Sequence, residues 1–324
     1  GEPLTHDLHW SKWEAYTTWL SGMSLLAVMY WAGASTHLID SRVLALSQPA
    51  AIGISVAFIA TGWLVYDALC RALFGRDGLM AVLLFAFVVF ADWLLHQVFS
   101  ARGAYIHVGA MLGTMMVANV FVHIIPGQRR MVAQIRAGQP VDPRPGQVGK
   151  QRSVHNTYFT LPVVFLMLSN HYAITYGTAW SWLIAVLFIF AGAAIRQFFV
   201  VMHQGKKQYA YWAFGTTCLI LAALLAAPKP PQPAPLTDGK APAAVNIETV
   251  TAIAQQRCAA CHAAHPDRQF GFAAPPLGLK LETAEEIRMA ADKFKQRVAN
   301  HTMPIGNLTG MTEEERMLIA RWQP

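Results

Sequence analysis

Seven stretches of this chain are apolar over about the 20 residues a helix needs to cross the hydrocarbon core of a bilayer. Inside hydrocarbon every backbone N–H and C=O must be satisfied within its own segment, so such runs leave helix as the workable conformation. They lie near 14–34, 50–70, 79–99, 103–125, 157–177, 180–202 and 209–227. Trp13, Trp93, Tyr105, Trp180 and Tyr211 mark span ends, where amphipathic rings settle at headgroup level. A composition of 54% hydrophobic and 13% charged residues agrees with a membrane protein. The expectation is an all-α, polytopic transmembrane bundle of about seven spans occupying residues 1–227. The chain begins at Gly1 with a span that runs outward, so an earlier span in a longer product would fit.

Beyond the last span the character of the sequence changes. Residues 228–247 form a Pro/Ala-rich tether that is semi-extended and cannot build a core. Residues 248–324 then carry Cys258-Ala259-Ala260-Cys261-His262. A C-x-x-C-H run is the attachment signature of a c-type haem: each thiol adds to one vinyl group, and the adjacent imidazole becomes an axial iron ligand. The competing readings are a redox dithiol and half of a zinc site. No second cysteine pair follows, whereas a candidate sixth ligand does. That ligand is read as Met303, in Thr302-Met303-Pro304, since a thioether trans to histidine raises the iron potential and makes an electron carrier. Met289, inside an amphipathic run, and Met311, just before a helix start, are the competitors. Capping boxes are expected at Thr283 with Glu286 and at Thr312 with Glu315, and a first helix from Ile247 to Arg257 should deliver Cys258. The Ala274-Pro275-Pro276-Leu277 turn could present a carbonyl to the His262 ring. Together these predict a small, helical, class-I-like cytochrome c domain.

Orientation follows from two arguments. Haem is attached covalently outside the bacterial cytoplasm, which places the tether and the haem domain in the periplasm. Counting back, 71–78, 126–156 and 203–208 face the cytoplasm, and they hold ten Lys/Arg against two, Arg42 and Arg102, in the outer loops. This is a strong positive-inside bias. The net charge of +7 is therefore topological, and it gives no reason to propose nucleic acid. Nucleotide-binding glycine loops are absent from the sequence.

Ionisable groups at membrane depth are costly and default to functional candidates. By span position His96, His107 and His171 form one tier near the outer surface, with His37 just beyond it. Two of the three could ligate a haem b; alternatively they line a substrate pocket, bonding Asn170, Tyr172 or each other. Asp92, one turn before His96, could orient or deprotonate it. Arg196 needs a partner, either Asp67 or an anionic substrate. A second tier of His123, His155 and His203 lies near the basic inner loops, where interfacial solvation explains it.

The stretches WEAYTTWLSG (13–22), HNTYFTLPVVFLMLSNHY (155–172) and MPIGNLTGMTEEER (303–316) resemble the membrane-bound, cytochrome c-fused bacterial urate oxidases. The order of bundle, Pro/Ala linker and C-terminal haem domain is similar over nearly the whole chain. The resemblance implies oxidation of urate to 5-hydroxyisourate in the inner membrane. Electrons would pass through haem c to a soluble cytochrome c or a terminal oxidase. If the bundle holds no haem b, His171 becomes the first choice for a urate-contacting base, with Asp92 and Arg196 as further catalytic candidates. The rivals are a quinol or other small-molecule dehydrogenase, and a membrane-anchored electron shuttle without enzymatic activity.

Overall fold

The computed structural model describes residues 10–40, 43–176, 178–227, 245–266 and 275–324. Most of the tether, 228–244, and Arg42 lie outside the described residues, as does Ala274 of the proline turn. Among the described residues the structure is helical, without a strand. In the first part the helices are α1 (Trp10–Leu26), α2 (Ala34–His37), α3 (Gln48–Ala72), α4 (Asp77–His96), α5 (Ala101–Ala118) and α6 (Ile125–Arg136). They are followed by α7 (Arg144–Leu168), α8 (Ala173–Tyr176), α9 (Ser181–His203) and α10 (Tyr209–Ala226). The C-terminal part holds α11 (Ile247–Arg257), α12 (Ala259–His262), α13 (Ala284–Met289), α14 (Ala291–Ala299) and α15 (Glu313–Arg321).

Among the described residues five helical stretches are long and apolar enough to cross a membrane: α3, α4, the continuous run Ala101–Arg136, α9 and α10. The two remaining expected spans are helical but differ from their sequence boundaries. The first is 17 residues of α1 followed by a π-helical turn, Ala27–Ala32. α7 begins at Arg144, thirteen residues before the expected start, because its polar first half with Lys150 and Arg152 is helical as well. It ends at Leu168, where a 3₁₀ turn, Ser169–His171, replaces it. The expected uninterrupted span over 157–177 is therefore a helix, a turn and the short α8.

α5 is the axis of the bundle. Every residue from Gly103 to Leu112 is buried, because α1, α3, α4 and α7 all pack on it. Small residues permit the close approaches, as expected where lipid leaves van der Waals packing to drive helix association. A methyl group placed on Gly62 of α3 would lie 2.5 Å from the Met111 side chain of α5. Ser47 and Ser100 cap α3 and α5, accepting from Ala50 and Gly103 N–H groups.

The C-terminal helices enclose a second core built on Val250, Ile287, Phe294, Met311, Ile319 and Trp322. α11 runs from Ile247 to Arg257 as the sequence predicts, capped by Asn246. Both capping boxes are formed, Thr283 with Glu286 and Thr312 with Glu315. This unit touches the end of the bundle where α2 meets the start of α5, through a backbone approach at Gly306. A β-carbon there would lie 2.8 Å from the carbonyl oxygen of Ile39.

Candidate functional site

The C-x-x-C-H segment forms one tight turn. Cys258 ends α11, its N–H bonding to the Ala254 carbonyl, and the His262 N–H returns to the Cys258 carbonyl at 2.8 Å. His262 is buried, and its Nδ1 donates to the carbonyl of Leu279 at 2.9 Å. The carbonyl comes from Leu279, two residues beyond the proline turn expected to supply it and just past the Pro276–Gly278 turn. With Nδ1 committed, Nε2 is the nitrogen left to ligate. Burial pushes the Cys258 thiol up to about 12, and a neutral thiol is a poor exchange nucleophile, which disfavours a redox dithiol. Among the described residues no three His, Cys, Asp or Glu side chains gather to hold a bare metal ion, which disfavours zinc. Two thiols on one turn beside an oriented imidazole fit the needs of a thioether-bound haem.

The three methionines separate by position. Met289 is 77% exposed, and Met311 is packed in the C-terminal core at 3%. Met303 is half-buried on a loop pinned from both sides. Its N–H bonds to the Arg297 carbonyl, and its carbonyl accepts from Arg316 Nη1 at 2.8 Å. Arg316, only 4% exposed, also holds the Val298 carbonyl and the Asn307 side chain, so one guanidinium shapes the whole 298–307 loop.

Met303 lines a cavity of about 530 Å³ at the junction of bundle and C-terminal unit. The bundle contributes His37, Asp40, His96, Arg102, Tyr176 and Trp182, and the opposite wall brings Arg297 and His301. Local folding explains these placements. Ser100 donates to the His37 carbonyl, which ties α2 to the start of α5 and brings His37 within 3.4 Å of Arg102. The Tyr105 hydroxyl straps the segment after α8 through the carbonyls of Thr175 and Ser181, setting Tyr176 and Trp182 over the cavity. Arg102 and Arg297, from opposite walls, both act electrostatically on Tyr176.

His96 is the most informative member. Its side chain is 6% exposed, and Nδ1 lies 2.8 Å from the backbone carbonyl of Asp92. A carbonyl only accepts, so Nδ1 carries the proton and Nε2 offers a lone pair. Nε2 is buried and has no partner, as are both carboxylate oxygens of Asp92, whose Oδ1 lies 3.5 Å from His96 Nδ1. Buried polar atoms left unmatched are expensive, and their concentration beside a cavity marks a place built for a ligand.

The rest of the expected tier does not converge there. His107 is fully buried with both nitrogens engaged, Nε2 with Ser55 Oγ at 2.6 Å and Nδ1 with the Gly103 carbonyl at 2.7 Å. His171 lies on the 3₁₀ turn with its side chain exposed, outside the cavity, because α7 ends three residues earlier. His96, His107 and His171 therefore do not offer a pair of free imidazoles to a haem b. Arg196, on α9, lies beside Tyr158 and does not pair with Asp67. Asp67 is instead taken by Arg152 at 2.6 Å, His123 at 2.7 Å and Arg71 at 2.7 Å. His155 bonds the Tyr66 hydroxyl at 2.9 Å. The inner histidines His123 and His155 thus belong to a partly buried polar network rather than to solvated loops, while His203 is exposed. Sequence reasoning missed Arg102, Arg297, Tyr176 and Trp182 as site residues. Arg102 alone left a signal, as one of only two outer-loop cations.

A family model described as urate oxidase N-terminal matches residues 1–227, the whole bundle. This chain belongs to the urate oxidase N-terminal family. No curated protein and no solved structure matches the chain. Within the urate oxidase domain the match covers His37, His96, Arg102, Tyr176 and Trp182. The opposite wall of the cavity comes from the C-terminal residues beyond it.

Proposed function

We propose that the protein oxidises urate to 5-hydroxyisourate in the bacterial inner membrane, at the junction cavity, and passes the electrons to a haem c in the C-terminal domain. The single observation that carries this reading is that His96 and Met303 face one cavity. A histidine of the urate oxidase domain with an unpartnered buried nitrogen and the candidate haem-ligating methionine thereby line one space.

The topology that supports it counts seven spans: the five apolar stretches, plus α1 with its π-helical extension and α7 with its 3₁₀ turn. Cys258 and Cys261 would hold the haem through thioethers, and His262 and Met303 would ligate its iron; when bound, it would supply a one-electron acceptor used twice for each urate. The cavity volume of about 530 Å³ suits a small planar substrate. Tyr176 and Trp182 supply aromatic faces for a flat bicyclic ring, and Arg102 and Arg297 favour an anion. Urate and water together yield 5-hydroxyisourate, two electrons and two protons. His96 Nε2 is the acceptor for a proton leaving the substrate or the attacking water. Asp92, behind the same imidazole, stabilises the imidazolium that results. The acceptor beyond the haem is a soluble cytochrome c or a terminal oxidase.

Anaerobic addition of urate to the purified protein tests the reading. The reduced α-band of haem c should appear without added mediator. A haem that stays oxidised with urate but is reduced by a quinol would assign the protein to quinol oxidation. A haem inert to both would leave an electron shuttle.

A further inference from the structure

A second cavity lies at the opposite, inner end of the bundle, and the reaction above makes no use of it. It encloses about 1020 Å³ between α4, α7, α9 and α10. Along α4 it runs from Asp77 to Val88, a depth of about 16 Å at the helical rise of 1.5 Å per residue. The deep part is walled by Leu84, Phe85, Val88, Leu112, Ile189 and Phe190, all apolar. The inner mouth is polar, with Gln147, Gln151, His155, Tyr158, Gln197 and Tyr211. An apolar slot reaching toward the membrane midplane below a ring of hydrogen-bonding groups is the shape of an amphiphile site.

The chemistry of the ring selects the head group. Among the described residues Lys150 and Asp77 are the charged side chains lining the cavity, one of each sign, so its lining itself offers phosphate no net charge. Three amides, two phenols and an imidazole instead suit a neutral head with carbonyl or hydroxyl groups, because amides and phenols both donate and accept. These groups are held in place. Tyr158 donates to Gln197 Oε1, and Arg196 beside it keeps a buried Nε without a partner. The His155 Nδ1 is engaged by Tyr66, whose hydroxyl is also bonded by Asn119 Nδ2 at 2.8 Å. His155 Nε2 is therefore the nitrogen left for a ligand.

We propose that this inner cavity binds a lipid-soluble quinone, with the ring at the Gln151–His155–Tyr158–Gln197 mouth and the isoprenoid tail along Phe85 and Phe190. The site stands at the membrane face opposite the substrate cavity and is separate from it.

Two measurements on the full-length protein in detergent test this. Solvent extraction of the purified wild type should yield quinone near one per chain, and Ala193→Trp, which fills the slot, should abolish it. Because Ala193 lies outside the substrate cavity, urate-dependent haem reduction should be unchanged in that variant. The second measurement titrates a decyl-substituted benzoquinone. Tyr158→Phe with Gln151→Leu should weaken binding about tenfold, the loss expected from one or two hydrogen bonds. Wild type without quinone that also fails to bind the decyl analogue would overturn the proposal. So would equal binding in all variants, or a phospholipid in place of quinone that is lost in Ala193→Trp.

Discussion

His96 and His171 show how little a histidine's place in the sequence says about its chemistry. Both are expected at similar depth, yet His96 lines a cavity and keeps a buried, unpartnered Nε2, while His171 is exposed on a 3₁₀ turn. The two should therefore respond differently to substitution. His96→Gln keeps a polar side chain but removes the base, and urate-dependent haem reduction should slow by about 10²- to 10⁴-fold. His171→Ala should leave the rate within about twofold and stability within about 0.5 kcal/mol. Stopped-flow reduction of the haem measures both; the reverse ranking would restore His171 as the base. His107 was legible in the sequence as a buried histidine, but nothing there showed that Ser55 and Gly103 use both of its nitrogens.

Among the elements, α13 and α15 are the ones whose starts the sequence specifies most fully. In each box a threonine accepts from the third N–H and a glutamate returns to the cap, so the signal lies within four residues. Thr312→Ala should cost about 1 kcal/mol, lowering the midpoint of C-terminal unfolding by roughly 4–8 °C for a unit of this size. A melt followed at the haem band reads it. Glu286 adds a pH signature. The N–H groups of Glu282 and Thr283 hold its carboxyl below the ordinary value of 4.5. Its folded pKa is depressed, so its contribution is fully present above that ordinary value and is lost as pH falls through the lowered one. Glu286→Gln should flatten the acid limb of the stability profile below about pH 4.5, and an unchanged profile would remove the box from the pH response. α7 gave the opposite lesson. Its polar first half reads as a loop from composition, yet it is helical because Arg152 is drawn to Asp67 and Asn156 is held by Asn119.

For the whole molecule, the decisive contact is the approach of Gly306 to Ile39. Gly306 has φ +55° and no room for a β-carbon. Gly306→Ala should push the C-terminal unit off the bundle while leaving its core and the haem attachment intact, since Ile39 belongs to the bundle. Reduction by urate should slow at least tenfold, whereas reduction by dithionite stays fast. Equal slowing by both reductants would show that the haem, rather than the junction, had been damaged.

What the sequence determines by itself is what short-range physics encodes. Apolar length specifies helices that can cross a membrane, charge asymmetry favours an orientation, and the five residues from Cys258 to His262 carry the motif on which the haem proposal rests. Capping boxes do the same for helix starts. What only the tertiary structure decided is which polar groups meet. Arg102 and Arg297 are separated by 195 positions, and they line one cavity because α2, α5 and the Met303 loop converge at one end of the bundle. Asp67 could not be assigned to Arg152 rather than Arg196 from spacing, since both arginines occupy helices that reach the inner end. Pairing of buried charges depends on distances across helices, and a helix sequence records only the face it presents, not the neighbour that will lie against it.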